Sequence, residues 1–536
     1  MKIRKVRPKA AGYSDAGASR QRRALKGFTA QSFSPRQDID DASLTLRQRA
    51  RMLYMAAPLA TSAINTNRTK VVGVGLTLKA AINRDVLGLS EDAARQWERR
   101  AEAEFRLWAG KKQNCDALGM NNFAALQQLA IKSWLMSGDV FALLKHEKPA
   151  PQNPYGLRIQ LIEADRVCTP AFCGGGHLAS GISEGTVPDG HPGAGRSVYD
   201  GVEVDKSGRA AAFYIASDYP FGRIHKNITW TRVPVWGNAT GMPNILQVMD
   251  AERPDQYRGV PYLSQVIEPL LQLRRYTESE LMGALIQSFF TAWVYTETNP
   301  ADIPFNEVGQ GDVDGIAGNG STDEALGGEI SDSQNEYEMG PGTVLHLQDG
   351  EKVNFGSPQI PTAGFEAFTR TLARLIGSAL EMPYDVIVKE FNSSYSASRG
   401  ALLEAWEAFR MRRAWFVDDF CQPIYEVWLS EAVARGRLKA PGFFDDPLVR
   451  AAYCGARWIG PVQGQLDPLK EAKAAILMTN HAIKTHEQVT REMGGGDWNE
   501  NAVSLKLENE LLSEAGASGQ GDAAVSSMPN EEGEGE

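Results

Sequence analysis

The pattern of apolar and polar positions divides the chain into three textures. In the first, "SLTLRQRARMLYMAAPLA" (Ser43–Ala60) places Leu46, Ala50, Leu53 and Ala57 at helical spacing before Pro58, and the Val-rich run after it, to Ala80, reads as a strand. A second helix opens with the Ser90 cap and Asp92 in its first turn, buries Trp97, Phe105 and Trp108, and stops at Gly110. A third, "NNFAALQQLAIKSWLMSGD", leads into the strands "VFALLKHE" and "LRIQLIEADRV". Residues 170–200 read as a Gly/Pro-rich loop, followed by a hairpin, "VEVDKSGRAAAFYIAS", with Ser207-Gly208 at its turn. These elements predict an α+β domain of about two hundred residues.

From Pro261 the texture changes. Val266, Leu270, Leu273, Leu281, Leu285 and Phe289 fall at near-helical spacing, which predicts a helix roughly 40 Å long with a bend permitted at Pro269. An acidic, glycine-rich stretch at 305–335 follows and reads as a mobile insertion, closed by the short strands "TVLHLQDG" and "EKVNFG". The helix "TAGFEAFTRTLARLIGSALEM" stops before Pro383. Next, "EFNSSYSAS" runs into a very long helix with Trp406, Phe409, Phe416, Phe420, Ile424 and Trp428 on one side and a kink expected at Pro423.

The third texture is a terminal pair of short helices. Asp467 caps the first, with Pro468 at its opening position, and Thr485 with Gln488 forms a capping box for the second. Beyond about Ala515 the composition predicts disorder.

At 536 residues, with 43% hydrophobic positions, the chain can bury more than one core, and two to four domains are expected. No run of eighteen apolar residues exists, which predicts no membrane span, and the N-terminus lacks the apolar stretch of a secretory signal. Five cysteines without an export signal suggest reduced thiols in a cytoplasm. The net charge of −10 is uneven: residues 1–26 carry nine Lys/Arg against Asp15, and residues 507–536 carry eight acids and no base. An acidic chain is a poor tight binder of duplex DNA, because phosphate neutralisation supplies most of that affinity, yet it can surround nucleic acid without gripping it.

Candidate chemistry is sparse. "GISEG" (181–185) matches a nucleophile elbow around Ser183, but an elbow needs a strand before the serine and a helix after it, and both flanks read as loop. Cys168, Cys173, His177 and His191 are conceivable zinc ligands without a second cysteine pair to complete the site, so they read as structural thiols and loop histidines. His481 and His486 flank a turn and lack the H-E-x-x-H glutamate. No P-loop, dinucleotide fingerprint or paired carboxylates stand out, so neither a cofactor nor a metal is predicted. Ser396 and Ser398 read as residues that open the long helix, not as nucleophiles, and the aromatic stripe behind them reads as core.

Two segments resemble a known family. "WIGPVQGQLDPLKEAKAAILMTNHAIKTHEQVTREMGGGDWNE" (Trp458–Glu500) is similar to the closing motif of the lambda-type family of tailed-phage portal proteins, and "YSASRGALLEAWEAFRMRRAWF" to the Tyr-Ser-x-x-Arg start of its long helix. "MPYDVI", "IEADRV" and "YRGVPYL" add weaker similarity, and the resemblance covers most of residues 45–510. It implies a predominantly helical α+β portal fold that assembles as a ring, typically of twelve subunits, at one capsid vertex. In that reading 1–44 is a basic leader, 45–260 the wing, 261–293 the first stem helix, 294–361 the clip and 362–382 the second stem helix. The tunnel loop is 383–397, the long kinked helix and its connection 398–460, the crown 461–512, and the acidic tail 513–536. Lys389, Glu390, Asn392, Ser393, Ser394 and Tyr395 would line the channel, and Arg410, Arg412 and Arg413 would pair with acids on a neighbouring subunit. The implied partners are further copies of the chain, double-stranded DNA, the large terminase subunit, the major capsid or scaffold protein and head-tail completion proteins, with no membrane and no cofactor. The implied place is the virion, after assembly in the host cytoplasm. The competing readings are a hydrolase centred on Ser183 and a scaffold or adaptor ring that never touches DNA.

Overall fold

Side-chain caps fix where several helices begin. In the computed structural model Asn83, Ser90, Asn122, Asp446 and Asp467 each accept a hydrogen bond from a first-turn N–H at 2.8–3.4 Å. The structure describes Arg23, Gly27 and residues 31–174, 184–220, 228–288, 292–296, 351–355, 364–390, 395–464, 467–494 and 496–514.

In chain order the helices are α1 (Asp41–Ala56), α2 (Pro58–Val71), α3 (Arg84–Leu87), α4 (Glu91–Ala109), α5 (Lys112–Cys115), α6 (Phe123–Ser137), α7 (Ile267–Ser288) and α8 (Phe365–Ala379). Then follow α9 (Tyr384–Val388), α10 (Tyr395–Phe416), α11 (Gln422–Ala434), α12 (Pro447–Tyr453), α13 (Pro468–Asn480), α14 (His486–Gly494) and α15 (Trp498–Glu514). The strands are β1 (Thr77–Ala80), β2 (Asp139–His146), β3 (Leu157–Glu163), β4 (Glu184–Thr186), β5 (Ser197–Tyr199) and β6 (Val202–Val204). They continue with β7 (Ala210–Ala216), β8 (Trp230–Pro234), β9 (Ile245–Met249), β10 (Ala292–Thr296), β11 (Glu351–Phe355) and β12 (Ala456–Ile459). The fold class is α+β, and two compact units divide it: one draws on residues up to 54, 64–264 and 406 onwards, the other on 55–63 and 265–405.

The first unit holds a three-stranded sheet in the order β3-β2-β9 and a five-stranded antiparallel sheet in the order β4-β5-β6-β7-β8. Phe141 and Ile162, cross-strand partners in the first sheet, pack with Val202, Phe213 and Ile215 from the second. A separate aromatic core gathers on α4. The Phe105 ring meets Trp428 edge-on at 5.1 Å, Phe123 at 5.6 Å and Tyr425 at 5.8 Å, and the buried Trp108 indole donates to the Leu157 carbonyl at 3.0 Å.

The stripe read on the long helix is this core's other half: Phe409, Phe416, Phe420, Ile424 and Trp428 are all buried, whereas Trp406 is only partly so. Steps of four residues advance an ideal helix by about 40° beyond a full turn, so the stripe would drift off the core. A widened π-turn at Val417–Cys421, between α10 and α11, takes up that drift just where Pro423 supplies no N–H. The expected kink is therefore a π-turn.

Three expectations are corrected. Pro58 opens a second helix instead of ending the region, since proline at a first helical position forfeits no hydrogen bond. The Val-rich strand shrinks to Thr77–Ala80, because Gly73 and Gly75 turn the chain with positive φ and the strand's partner, β12, lies almost four hundred residues on. The loop at 170–200 contains β4 and β5, and Asp200-Gly201, both at positive φ, make the tight hairpin to β6.

Arg258 ties the first unit together. Its guanidinium, 1% exposed, meets the Asp139 carboxylate at 2.6 and 3.1 Å and donates to the carbonyls of Ala164, Val167 and Asp200. The Asp200 carboxylate also receives Arg47 of α1 at 2.7 Å, and Arg47 and Arg51 share Asp165. Gly138 and Gly259 let the two chain segments touch, since a Cβ on either would strike the other's backbone. Beside this network Asp40 is 4% exposed, and its Oδ2 has no hydrogen-bond partner. Burial, and then the nearby Asp200 charge, push its pKa up from 3.8 to about 7.

In the second unit Tyr276 of α7 packs on Phe365 and Phe368 of α8 at 5.3 and 5.2 Å, and β10 pairs antiparallel with β11. α7 starts at Ile267, so Pro269 sits in its first turn and bends nothing. The predicted stripe splits: Val266 and Leu270 are buried, whereas Leu281 and Leu285 face solvent with Met282 and, on α8, Phe368 and Leu375. No described helix is long and apolar enough to cross a membrane.

Two outcomes follow for stability. Phe105→Ala empties the centre of the aromatic core and should cost about 3–5 kcal/mol in chemical denaturation, with Trp406→Ala well below it. Asp40 holds a proton in the folded chain that the unfolded chain releases, so its contribution turns unfavourable as pH rises from about 4 to about 7. Asp40→Asn should therefore match the parent's melting temperature at low pH and exceed it increasingly towards neutrality. A pH-independent difference would refute that account.

Candidate functional site

The segment expected to act begins where α8 ends. Leu380 and Met382 are buried there, and the Met382 N–H reaches back to the Gly377 carbonyl at 2.8 Å. Gly377 is required at this approach, because a Cβ on it would collide with the Met382 carbonyl oxygen. Pro383 then starts the short α9, whose Val386 and Ile387 are buried, and Ser62 donates to the Ile387 carbonyl at 2.8 Å. α9 closes on Lys389 at φ 63°, a left-handed position that usually belongs to glycine. Lys389 is exposed, and the Tyr384 hydroxyl donates to Glu390 at 3.0 Å while the Arg374 guanidinium lies over the Tyr384 ring.

Of the residues predicted to line a channel, Lys389 and Glu390 directly follow α9, and Tyr395 is the first residue of α10. Asn392, Ser393 and Ser394 lie outside the described residues. The long helix starts at Tyr395, which puts Ser398, buried, within its first turns.

The arginines of α10 separate into two roles. Arg410 is exposed, as an interface residue must be. Arg412 is 6% exposed, donates to Asn67 at 3.2 Å and stacks over the Tyr262 ring at 4.8 Å. Arg413 donates to the carbonyls of Lys70, Val71 and Pro461 at 2.7–2.8 Å and so caps the C-terminus of α2. Burial, and secondarily the Arg410 charge, pull the Arg413 pKa down to about 10. Arg412 and Arg413, expected to pair with acids on a neighbouring subunit, are engaged within the chain by carbonyl oxygens, an amide and a tyrosine face.

The other chemical candidates are placed as follows. Ser183 and His177 lie outside the described residues. Glu184–Thr186, directly after Ser183, is strand β4 paired with β5, not the helix that an elbow requires. Cys168 accepts from the Trp230 indole at 3.3 Å, and Cys173 packs with Val187, Val198 and Tyr214; burial pushes both thiols up to about 11. His191 stacks on Phe172 at 4.6 Å. Among the described residues no three His, Cys, Asp or Glu side chains converge as metal ligands.

Comparison with known proteins places this architecture. Residues 21–413 match the family described as phage portal protein, lambda family, and the chain belongs to that family. Portal protein B of Escherichia phage lambda is 23% identical over 503 residues, which cover 90% of this chain and 87% of that protein. The portal protein of Escherichia phage N15 is 23% identical over 448 residues, 81% of this chain and 78% of that one. Among solved structures, a chain of the neck of a native gene transfer agent particle, computed with C12 symmetry, is similar over 84% of this chain and 92% of its own, with 11% identity and a TM-score of 0.37.

The arginine assignments have separable consequences. Arg412→Ala should cost the isolated subunit about 1–3 kcal/mol, because it removes a buried charge-assisted hydrogen bond to Asn67 and the stacking on Tyr262. Arg410→Glu should leave subunit stability within about 0.5 kcal/mol of the parent. Urea unfolding followed by circular dichroism reads both, and equal losses would contradict the division.

Proposed function

We propose that copies of this chain close into a ring at one capsid vertex, through which duplex DNA is packaged, retained and later released. The observation that carries the reading is the apolar face of the second unit, where Leu281, Met282, Leu285, Phe368 and Leu375 are each about half exposed or more. Covering such faces by neighbouring copies is the cheapest way to remove that area from water, and a closed ring leaves none of them unpaired. Membership of the portal family supports the same assembly.

In this ring α7 and α8 form the stem, residues 383–397 the narrowest lining, and the helices after Asp467 the crown. A net charge of −10 suits a wall that must let a polyanion slide. Lys389 and Glu390 would place one charge of each sign at the lining, so attraction and repulsion partly cancel. Arg410, free of the core that engages its neighbours, is the interface candidate of the three. The large terminase subunit, the capsid or scaffold protein and the head-tail completion proteins are the partners this role requires. The chain would act structurally and without a cofactor.

Mass photometry of the purified chain, with and without Leu281→Glu and Leu285→Glu, tests the ring. The parent should populate one large closed assembly and the double variant should remain small. A parent found only at single-chain mass would overturn the proposal. Deleting Asn392–Ser394 should spare ring closure and impair DNA retention, so filled, stable heads from that variant would remove the segment from the lining.

A further inference from the structure

The helices α13, α14 and α15 bury none of their residues, unlike the long helices α1, α4, α6 and α11 of the same unit. Leu469, Ile476, Ile483, Leu505 and Leu511 all point largely to solvent, so apolar burial does not hold these helices to the body. Ionic contacts do. Lys79 on β1 extends its ammonium to three carboxylates: Glu500 at 2.6 Å and Asp497 at 3.3 Å, both at the start of α15, and Glu102 of α4 at 3.4 Å. Asp497 is itself the cap of α15, accepting from the N–H groups of Asn499 and Glu500 at 2.8 and 3.2 Å. A second bridge joins Arg457 of β12 to Glu487 of α14 at 2.9 Å.

Between these contacts lies a cavity of about 610 Å³, bordered by Arg84, Arg95, Arg99 and Arg491 besides the paired groups. Most of its lining residues are charged, so water and small ions can enter the joint and screen it. Glu102 and Glu98 also serve the body alone, accepting from the N–H groups of Ala80, the last residue of β1, and of Ile82 just beyond it at 3.1 and 3.0 Å. Lys79 therefore bridges a partner on α4 and two partners at the start of α15, a helix none of whose described residues is buried.

We propose that α13–α15 form a module docked on the α/β body by an ionic joint centred on Lys79, and that rising ionic strength or loss of that charge undocks it with the body intact. Ions shorten the reach of exposed charges from about 8 Å at physiological salt to about 3 Å at 1 M, whereas the aromatic core is indifferent to that change or strengthened by it. Apolar burial elsewhere in the unit and its absence here separate the two responses. The inference concerns the single chain and holds whether or not the ring reading is correct.

Amide hydrogen exchange on the full-length chain tests it. Between about 0.1 M and about 1 M sodium chloride, amides of the first turns of α15 should lose protection about two- to fivefold, the scale of a screened ion pair. Those of α4 and of the β1–β12 pair should not change. Glu500→Gln, whose side chain is mostly exposed, and Lys79→Met should each reproduce the loss at low salt. The exchanged pair Lys79→Glu with Glu500→Lys should recover part of it. Protection of α15 that ignores salt and both single variants would overturn the proposal. So would parallel loss in β1 and β12, which would make Lys79 a prop of the sheet and not of the joint.

Discussion

One buried guanidinium sets the arrangement of the first unit. Arg258 draws strand β2, the turn after β3, the β5–β6 hairpin and its own loop onto a single planar group with donors on several edges. A lysine could not serve all of them, because its ammonium offers a point charge and no fork. Once Asp139 and Asp200 are fixed by Arg258, Asp200 presents the acceptor that receives Arg47 and thereby seats α1. The network is almost fully desolvated, so each member depends on the others for its compensation. Beside it, the buried Asp40 carboxyl has an oxygen, Oδ2, that finds no hydrogen-bond partner.

The two units solve the burial problem differently. The first spends its aromatic residues internally, around Phe105 on one side and between two sheets on the other. The second has two long helices that meet through Tyr276 and leave much of their apolar surface on the outside. The terminal helices form a third regime, with their apolar side chains outward and their charges toward the body.

Arginine use on α10 shows how little residue type reveals about role. Arg410, Arg412 and Arg413 sit within one turn, yet one is exposed, one lies buried on a tyrosine ring and one caps a helix end. The rotation of the helix about its axis decides between them, and the core-facing aromatic stripe sets that rotation.

Local patterns determined much by themselves. The helical stripe Phe409–Trp428, the caps at Ser90 and Asp467, the capping box at Thr485 and the hairpin at Gly208 are read from neighbours three or four positions apart, because their physics is local. Two features were equally local and went unread: the Asp200-Gly201 hairpin, and the Asp497 cap that announces α15. The tertiary structure alone decided the rest. That Val71–Leu76 is not strand follows from β1 finding its partner only at Ala456–Ile459, a pairing no nearby residue encodes. That Arg412 and Arg413 turn inward follows from Asn67, Tyr262 and Pro461, which folding brings to them from distant parts of the chain. Short-range propensity fixes where an element starts and which face is apolar, whereas the destination of a polar side chain depends on which distant groups arrive beside it.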